Sequence, residues 1–158
     1  MRRIFGRTIV ELADQDPAII LLVGDVEQNM DEFRRRFAGR FINLGLCEQT
    51  MIGIAAGMAL EGWRPIVYSI TPFLIERPFE QIKLDIDQQN LPVILIGYAD
   101  YPTHGPTHRP LNAEALAALW RNTKAYFPAT SEETQQAMWD AYKRCRPAFI
   151  SLKRDRSL

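Results

Sequence analysis

Four apolar runs constrain this chain more than any other feature: AIILLVG at 18–24, PIVYSI at 65–70, PVILIGYA at 92–99 and AFISL at 148–152. The first is apolar throughout and bounded by Pro17 and by Gly24-Asp25, which is how a strand buried on both faces reads. The others read as strands too, with a shorter one at RFINLG, 40–45. Between them lie segments of helical spacing, MDEFRRRF at 30–37, EQTMIGIAAGMALEG at 48–62 and FEQIKLDIDQQN at 79–90. An opening helix is marked by Ile4, Ile9, Val10 and Leu12, and DQDP ends it, because the residue before a proline is pushed out of the helical region. After residue 99 a polar loop, DYPTHGPTHRPLN, breaks the pattern, and helices at 113–120 and 131–144 precede the last strand. Strands alternating with helices predict an α/β fold of three layers, a mainly parallel sheet with helices on both faces. At 158 residues, with no repeat, low-complexity tract or linker, a single domain over 1–158 is expected.

The charge inventory excludes some partners. Nineteen basic and nineteen acidic residues cancel, so no long-range field gathers nucleic acid or an anionic membrane. Arg34 to Arg36 sit beside Asp31 and Glu32, as on a solvated helix face. The basic start, MRRIFGR, lacks the apolar region and small-residue cleavage site of a signal peptide, and no apolar run approaches the roughly 20 residues of a membrane helix. A cytoplasmic protein without nucleic-acid or membrane partners is expected. Cys47 and Cys145 match no metal-ligand spacing and read as buried, reduced thiols.

In such sheets ligands gather beyond the carboxyl ends of the strands. That rim receives the turn after LLVGD, the GLCEQ turn and the YADYPTHGPTHRP loop. From Glu48 onward, apolar residues from Met51 to Leu60 cover most of a helix circumference, predicting a buried helix. Gly53 and Gly57 cost about 1 kcal/mol each relative to alanine, so close approach of another backbone is expected, inside the domain or across a subunit interface. Glu48 has two readings. It is a first-turn carboxylate facing unpaired N–H groups, worth about 0.3–1 kcal/mol, or an acceptor for a ligand heteroatom.

The run INLGLCEQTMIGIAAGMALEGWRPIVYSI, 42–70, resembles the pyrimidine-binding domain of the transketolase family of thiamine diphosphate enzymes, whose relatives include deoxyxylulose-phosphate synthases and 2-oxoacid dehydrogenase β subunits. The family's Gly-x-x-Glu-Gln turn is Gly45, Glu48 and Gln49 here, and Pro65 opens the strand that follows. FEQIKLDIDQQNLPVILIG resembles the family's next helix and strand, and HGPTHRPLNAEALAALW its Gly-Pro-Thr-His loop. The opening GRTIVELADQDPAIILLVGDV and closing RPAFISLKR match more loosely. A thiamine diphosphate-binding pyrimidine-domain fold is implied.

The resemblance also implies roles. Glu48, with Gln49 beside it, would hydrogen-bond a ring nitrogen of the cofactor pyrimidine and favour the tautomer whose exocyclic nitrogen takes the thiazolium proton. His108 matches the histidine near the reactive carbon and substrate hydroxyls, where an imidazole can move protons at neutral pH. His104 stands where transketolases place an acid, which changes the expected stereochemical preference. The ring that covers the pyrimidine is replaced, in the most direct register, by Ile75, with Phe73 and Phe79 nearby. Asp25 is a substrate-site candidate or a turn cap. Arg77 and Arg109 are candidates for a substrate phosphate or carboxylate.

No Gly-Asp-Gly motif occurs in the chain. The family uses that motif and a downstream asparagine, in another domain, to hold the diphosphate and Mg2+ through oxygen ligands. The resemblance therefore implies a separate partner subunit carrying the diphosphate-binding domain and the metal ligands, within a heterotetramer of two of each. A naturally split enzyme is expected rather than a fragment. The expected function is the pyrimidine-binding subunit of a transketolase-like enzyme that moves a two-carbon ketol unit between sugar phosphates. A 2-oxoacid decarboxylase or acyloin synthase subunit, and a noncatalytic pairing module that has lost the cofactor, remain alternatives.

Overall fold

The computed structural model describes residues 1–100 and 105–154. Six strands form one sheet: β1 (Ile19–Val23), β2 (Phe41–Asn43), β3 (Arg64–Ile70), β4 (Ile94–Tyr98), β5 (Lys124–Tyr126) and β6 (Ala148–Leu152). Their order is β2-β1-β3-β4-β6-β5, and every neighbouring pair is parallel. All strand carboxyl ends therefore lie on one rim, as the α/β reading requires. The four long apolar runs are the four central strands. Within each pair, alternate side chains enter different cores, and β1, β4 and β6 are buried at every position.

One core packs α1 (Arg2–Gln15) and α7 (Ser131–Arg144) on the sheet, through Phe5, Ile9 and Leu12 of α1 and Met138 and Ala141 of α7. The α1 face is thus centred on positions 5, 9 and 12, and Ile4 is only half-buried. The helix stops at Asp16, which is extended before Pro17, and the Arg40 guanidinium donates to the carbonyls of Ala13, Asp16 and Ile19 at its end. The short α2 (Asp31–Arg36) buries Phe33 and pairs Arg34 with Glu27 and Asp31, and Arg36 with Asp14 and Glu32. Arg34 and Arg36 thus form an ion-paired surface.

The opposite core holds α3 (Glu48–Leu60), α4 (Thr71–Ile75), α5 (Phe79–Gln81), which runs on as a π-helical stretch Ile82–Asp87, and α6 (Ala113–Ala117). Periodicity read 79–90 as one helix, and the wider turn within it leads Asp87 to the Arg121–Thr123 backbone. Two elements escaped the sequence reading: α4, whose five residues are all buried, and the three-residue edge strand β5.

Two expectations need correction. Cys145 is exposed, because it occupies the left-handed position (φ 49°) that ends α7, in the surface turn before β6; Cys47 is half-buried, its thiol donating to the Leu44 carbonyl at 2.9 Å. The second concerns α3, which is buried on one side only. Met51, Ile52, Ala55, Ala56 and Ala59 face the sheet, whereas Gln49, Thr50, Gly53, Gly57 and Leu60 line an open stripe. Among the described residues a Cβ built on Gly53 or Gly57 meets nothing within 4 Å, so no described backbone uses the space those glycines leave.

Candidate functional site

The strand order reverses at β1: its outgoing chain passes to β2 on one side, while β3 lies on the other. Connections that diverge in this way open a crevice at the carboxyl ends, the usual ligand seat of an open α/β sheet. Three turns meet there. The first follows β1 at Gly24-Asp25, the second follows β2 at Gly45–Cys47, and the third follows β3 through α4 to Arg77.

Asn43, at the end of β2, ties the first two turns together. Its Oδ1 accepts from the backbone N–H groups of Asp25 (3.2 Å) and Gly45 (2.9 Å), and its Nδ2 donates to Glu27. Both turns need the left-handed region, with φ 69° at Asp25 and 70° at Gly45, which glycine and, less readily, aspartate adopt. Asp25 is exposed, and its carboxylate takes no hydrogen bond among the described residues. It is held by its backbone and does not cap a helix.

Glu48 opens α3 and is 4% exposed. Its Oε1 accepts from Arg77 Nη1 at 2.9 Å. The Arg77 guanidinium in turn lies over the Phe73 ring, Cζ 3.5 Å from the centroid, and the edge of that ring system meets the His108 imidazole at 4.9 Å between centroids. A continuous line of contacts, carboxylate to guanidinium to phenyl to imidazole, thus joins two residues sixty positions apart in sequence. Gln49 Nε2 donates to the Arg77 carbonyl at 3.3 Å, and Glu76 accepts from the Leu111 N–H at 2.7 Å, so the segment is pinned on both sides. His108 sits in a 3-10 turn, Pro106–His108, with Nδ1 3.1 Å from Thr107 Oγ1. Leu46, Cys47, Glu48, Gln49, Thr50 and Arg77 line a cleft of about 390 Å³.

The other candidates fall elsewhere. Ile75 is wholly buried in the core under α3 and does not reach this cleft, so the direct register that put it over a ligand ring gives way to Phe73, two positions earlier. The cause is α4: once 71–75 coils, Ile75 turns into the core, while Phe73, also buried, meets Arg77 and His108. Phe79 stacks on Trp120, 5.6 Å between centroids, beside the same core. Arg109 is exposed; its N–H donates to the Pro106 carbonyl at 3.3 Å, and its side chain has no hydrogen bond or ion pair among the described residues. His104 lies outside the described residues. Among the described residues no three His, Cys, Asp or Glu side chains gather as a metal site, and no described helix is long and apolar enough to cross a membrane.

A basic pocket of about 320 Å³ also opens on this rim, lined by Met1, Arg2, Arg3, Asn29, Tyr98, Lys153 and Arg154. Arg2 lies over the Tyr98 ring at 4.2 Å and donates to Gln28. Sequence reasoning missed it because its cations come from opposite ends of the chain, and only the closeness of the α1 start to the β6 end makes them one group. The Lys153 N–H against Met1 Sδ, at 3.3 Å, marks that junction.

A nearly buried carboxylate beside an aromatic face suits a flat heterocycle that donates N–H from its edge. The Arg77 guanidinium, flat and rich in N–H donors, already satisfies both contacts. An acceptor beside a ring face fits an aminopyrimidine, whose amine donates N–H.

The transketolase pyrimidine-binding-domain family model matches residues 1–157, and the chain belongs to that family. Membership implies use of thiamine diphosphate. A 1-deoxy-D-xylulose-5-phosphate synthase of Oleidesulfovibrio alaskensis is 34% identical over 160 residues, which cover 96% of this chain and 24% of that protein. A split-gene transketolase solved as an inactive β4 tetramer superposes with a TM-score of 0.87 at 28% identity, over 98% of this chain and 51% of that one. A transketolase from Leishmania mexicana shares the fold, with a TM-score of 0.85 at 22% identity over 98% of this chain and 25% of its own. The chain spans about a quarter of the length of the synthase it matches.

Proposed function

We propose that this chain is the pyrimidine-binding subunit of a split, thiamine diphosphate-dependent, transketolase-like enzyme of the cytoplasm, moving a two-carbon ketol unit between sugar phosphates. The observation that carries this reading is the contact line from buried Glu48 through Phe73 to His108, at the crevice where the strand order reverses. Bound thiamine diphosphate supplies a carbon nucleophile and an electron sink for cleaving and forming bonds next to a carbonyl. Glu48 would hold the pyrimidine by sharing a proton with a ring nitrogen, and Phe73 would offer the ring a face. Gln49 holds the Arg77 segment against α3, and His108 exchanges a proton with the substrate's oxygen. Asp25, on the adjoining turn, orients a substrate hydroxyl, with His104 and Arg109 as further substrate contacts. The basic pocket of Arg2, Arg3, Lys153 and Arg154 is suited to a phosphate.

The diphosphate and Mg2+ belong on a second subunit, and the open stripe of α3 is where a neighbouring backbone docks. The split-gene relative, an inactive tetramer of its β chain alone, supports both self-association and the need for a second kind of subunit. The ion pair that already engages Glu48 favours the other reading, a noncatalytic pairing module.

The test is co-purification of the tagged chain from source extract, followed by assay of the assembled complex with ketose phosphates against pyruvate. A partner bearing Gly-Asp-Gly and turnover of ketose phosphates are expected. Glu48→Gln in that complex should lower turnover at least about 100-fold with the fold intact; near-wild-type turnover would sink the catalytic role of Glu48.

A further inference from the structure

Glu48 poses an electrostatic problem in the unliganded chain. An ionised carboxylate taken out of water is costly unless it is paired. Its side chain is 5% exposed and, among the described residues, the cation that answers it is Arg77, whose own side chain is 40% exposed. The guanidinium makes two contacts at once: an N–H donated to Glu48 Oε1 at 2.9 Å, and its flat face on the Phe73 ring at 3.5 Å. These are the two contacts that the proposed function asks of the cofactor's aminopyrimidine, a second planar group, which donates N–H to a carboxylate from its amine or from a protonated ring nitrogen. Both cannot be in the same seat.

We propose that Arg77 is a placeholder for the pyrimidine: it fills the ring's seat between Glu48 and Phe73 in the free subunit and is displaced when the heterocycle enters. This rests on the reading of Glu48 as the ring's acceptor. The asymmetry of exposure sets the direction of motion. Glu48 is fixed at the start of α3, while the Arg77 head borders the open cleft and has water to move into. The motion is a rotation of one side chain and leaves the loop in place, because the Arg77 carbonyl is held by Gln49 and Glu76 is held by the Leu111 N–H. Before assembly the placeholder keeps the buried charge compensated and Phe73 covered; afterwards its removal is a fixed cost charged to every ring that binds.

The experiment measures heterocycle binding, independent of turnover. Free 4-amino-2-methylpyrimidine is titrated calorimetrically into the full-length wild-type chain and into Arg77→Ala, Arg77→Lys and Glu48→Gln, each first checked for a wild-type circular dichroism spectrum. Arg77→Ala should bind the ring about tenfold more tightly than wild type, the factor that 1.4 kcal/mol of lost competition carries. Arg77→Lys keeps the charge but loses the flat stacking face, so it should fall between the two; it answers the question if the alanine variant does not fold. Equal or weaker binding by the folded Arg77 variants, or no binding by any of them, overturns the placeholder, since an emptied seat must accept the ring. Glu48→Gln separates the two claims. If it weakens ring binding while the Arg77 variants do not strengthen it, Glu48 keeps its role and only the placeholder fails; if Arg77→Ala binds more tightly and the double variant Arg77→Ala/Glu48→Gln binds the ring just as tightly, the acceptor role of Glu48 fails instead.

Discussion

Asp87 shows how much a single buried carboxylate can organise through backbone donors. Only 3% exposed, its Oδ1 accepts from the Asn122 and Thr123 N–H groups and from the Thr123 hydroxyl at 2.7–2.9 Å, and its Oδ2 from the Arg121 N–H at 3.0 Å. Burial pushes its carboxyl up, but the bonds from Arg121, Thr123 and Asn122 outweigh this and hold it below the ordinary 3.8. Because the folded form binds its proton more weakly than the unfolded chain, its contribution is fully present above about pH 3.8 and is lost as pH falls through the lowered folded value. Asp87→Ala should therefore cost about 2–4 kcal/mol at pH 7, through backbone donors left unpaired. In urea melts the gap from wild type should stay constant from neutral pH to about pH 4 and narrow only in stronger acid. The contrast with Glu48 is informative. Asp87 is met by backbone and a neighbouring hydroxyl, which cannot leave, whereas Glu48 is met by a long side chain at a cleft mouth, which can.

At the scale of elements, α3 does two jobs with two faces. Its alanines and Met51 seal the sheet, and its glycines leave a shallow open stripe between Leu46 and Leu60, which are 68% and 63% exposed. If that stripe receives another subunit, Gly57→Leu separates folding from assembly. An added Cβ there meets nothing within 4 Å, and replacing a helical glycine gains up to about 1 kcal/mol of propensity, so the isolated chain should melt no lower than wild type. The same substitution should abolish association with the partner in analytical ultracentrifugation; unimpaired assembly would mean that the interface lies elsewhere. The buried half of α3 was legible in its apolar residues. Which half stays open was not, because the helix is apolar almost all round and only the position of the sheet chooses a side.

Across the whole molecule, the parallel sheet delivers every strand's carboxyl end to one rim, and brings the start of α1 and the residues after β6 to the same pocket. The Arg2, Arg3, Lys153 and Arg154 cluster lies on a chain of zero net charge, so its field is local and acts on a ligand already on the rim. Replacing Lys153 and Arg154 together by alanine should raise KM for a phosphorylated substrate of the assembled enzyme by about 10–100-fold, with kcat little changed. The effect should shrink as salt is added, since exposed charges are screened over roughly 10 Å at 0.1 M. An equal loss for an uncharged substrate would remove the pocket from phosphate recognition.

The sequence by itself determined the layers. Runs such as 18–24 and 92–99 are too apolar for any place but the middle of a covered sheet, and Pro17 and the helical spacings around them set where strands give way to helices. It also marked Gly45, Glu48 and His108, because an acid opening an apolar helix and a histidine in a proline-rich loop stand out against their neighbours. Only the tertiary structure decided what those residues touch. Ile75 and Phe73 are equally apolar in the sequence, and the turn of α4 alone sends one into the core and the other against Arg77 and His108. Arg77 is one arginine among many until the fold brings it within 2.9 Å of Glu48. Local spacing reports which face of an element is apolar; it carries no information on which distant element will meet that face, since that depends on how all six strands order themselves.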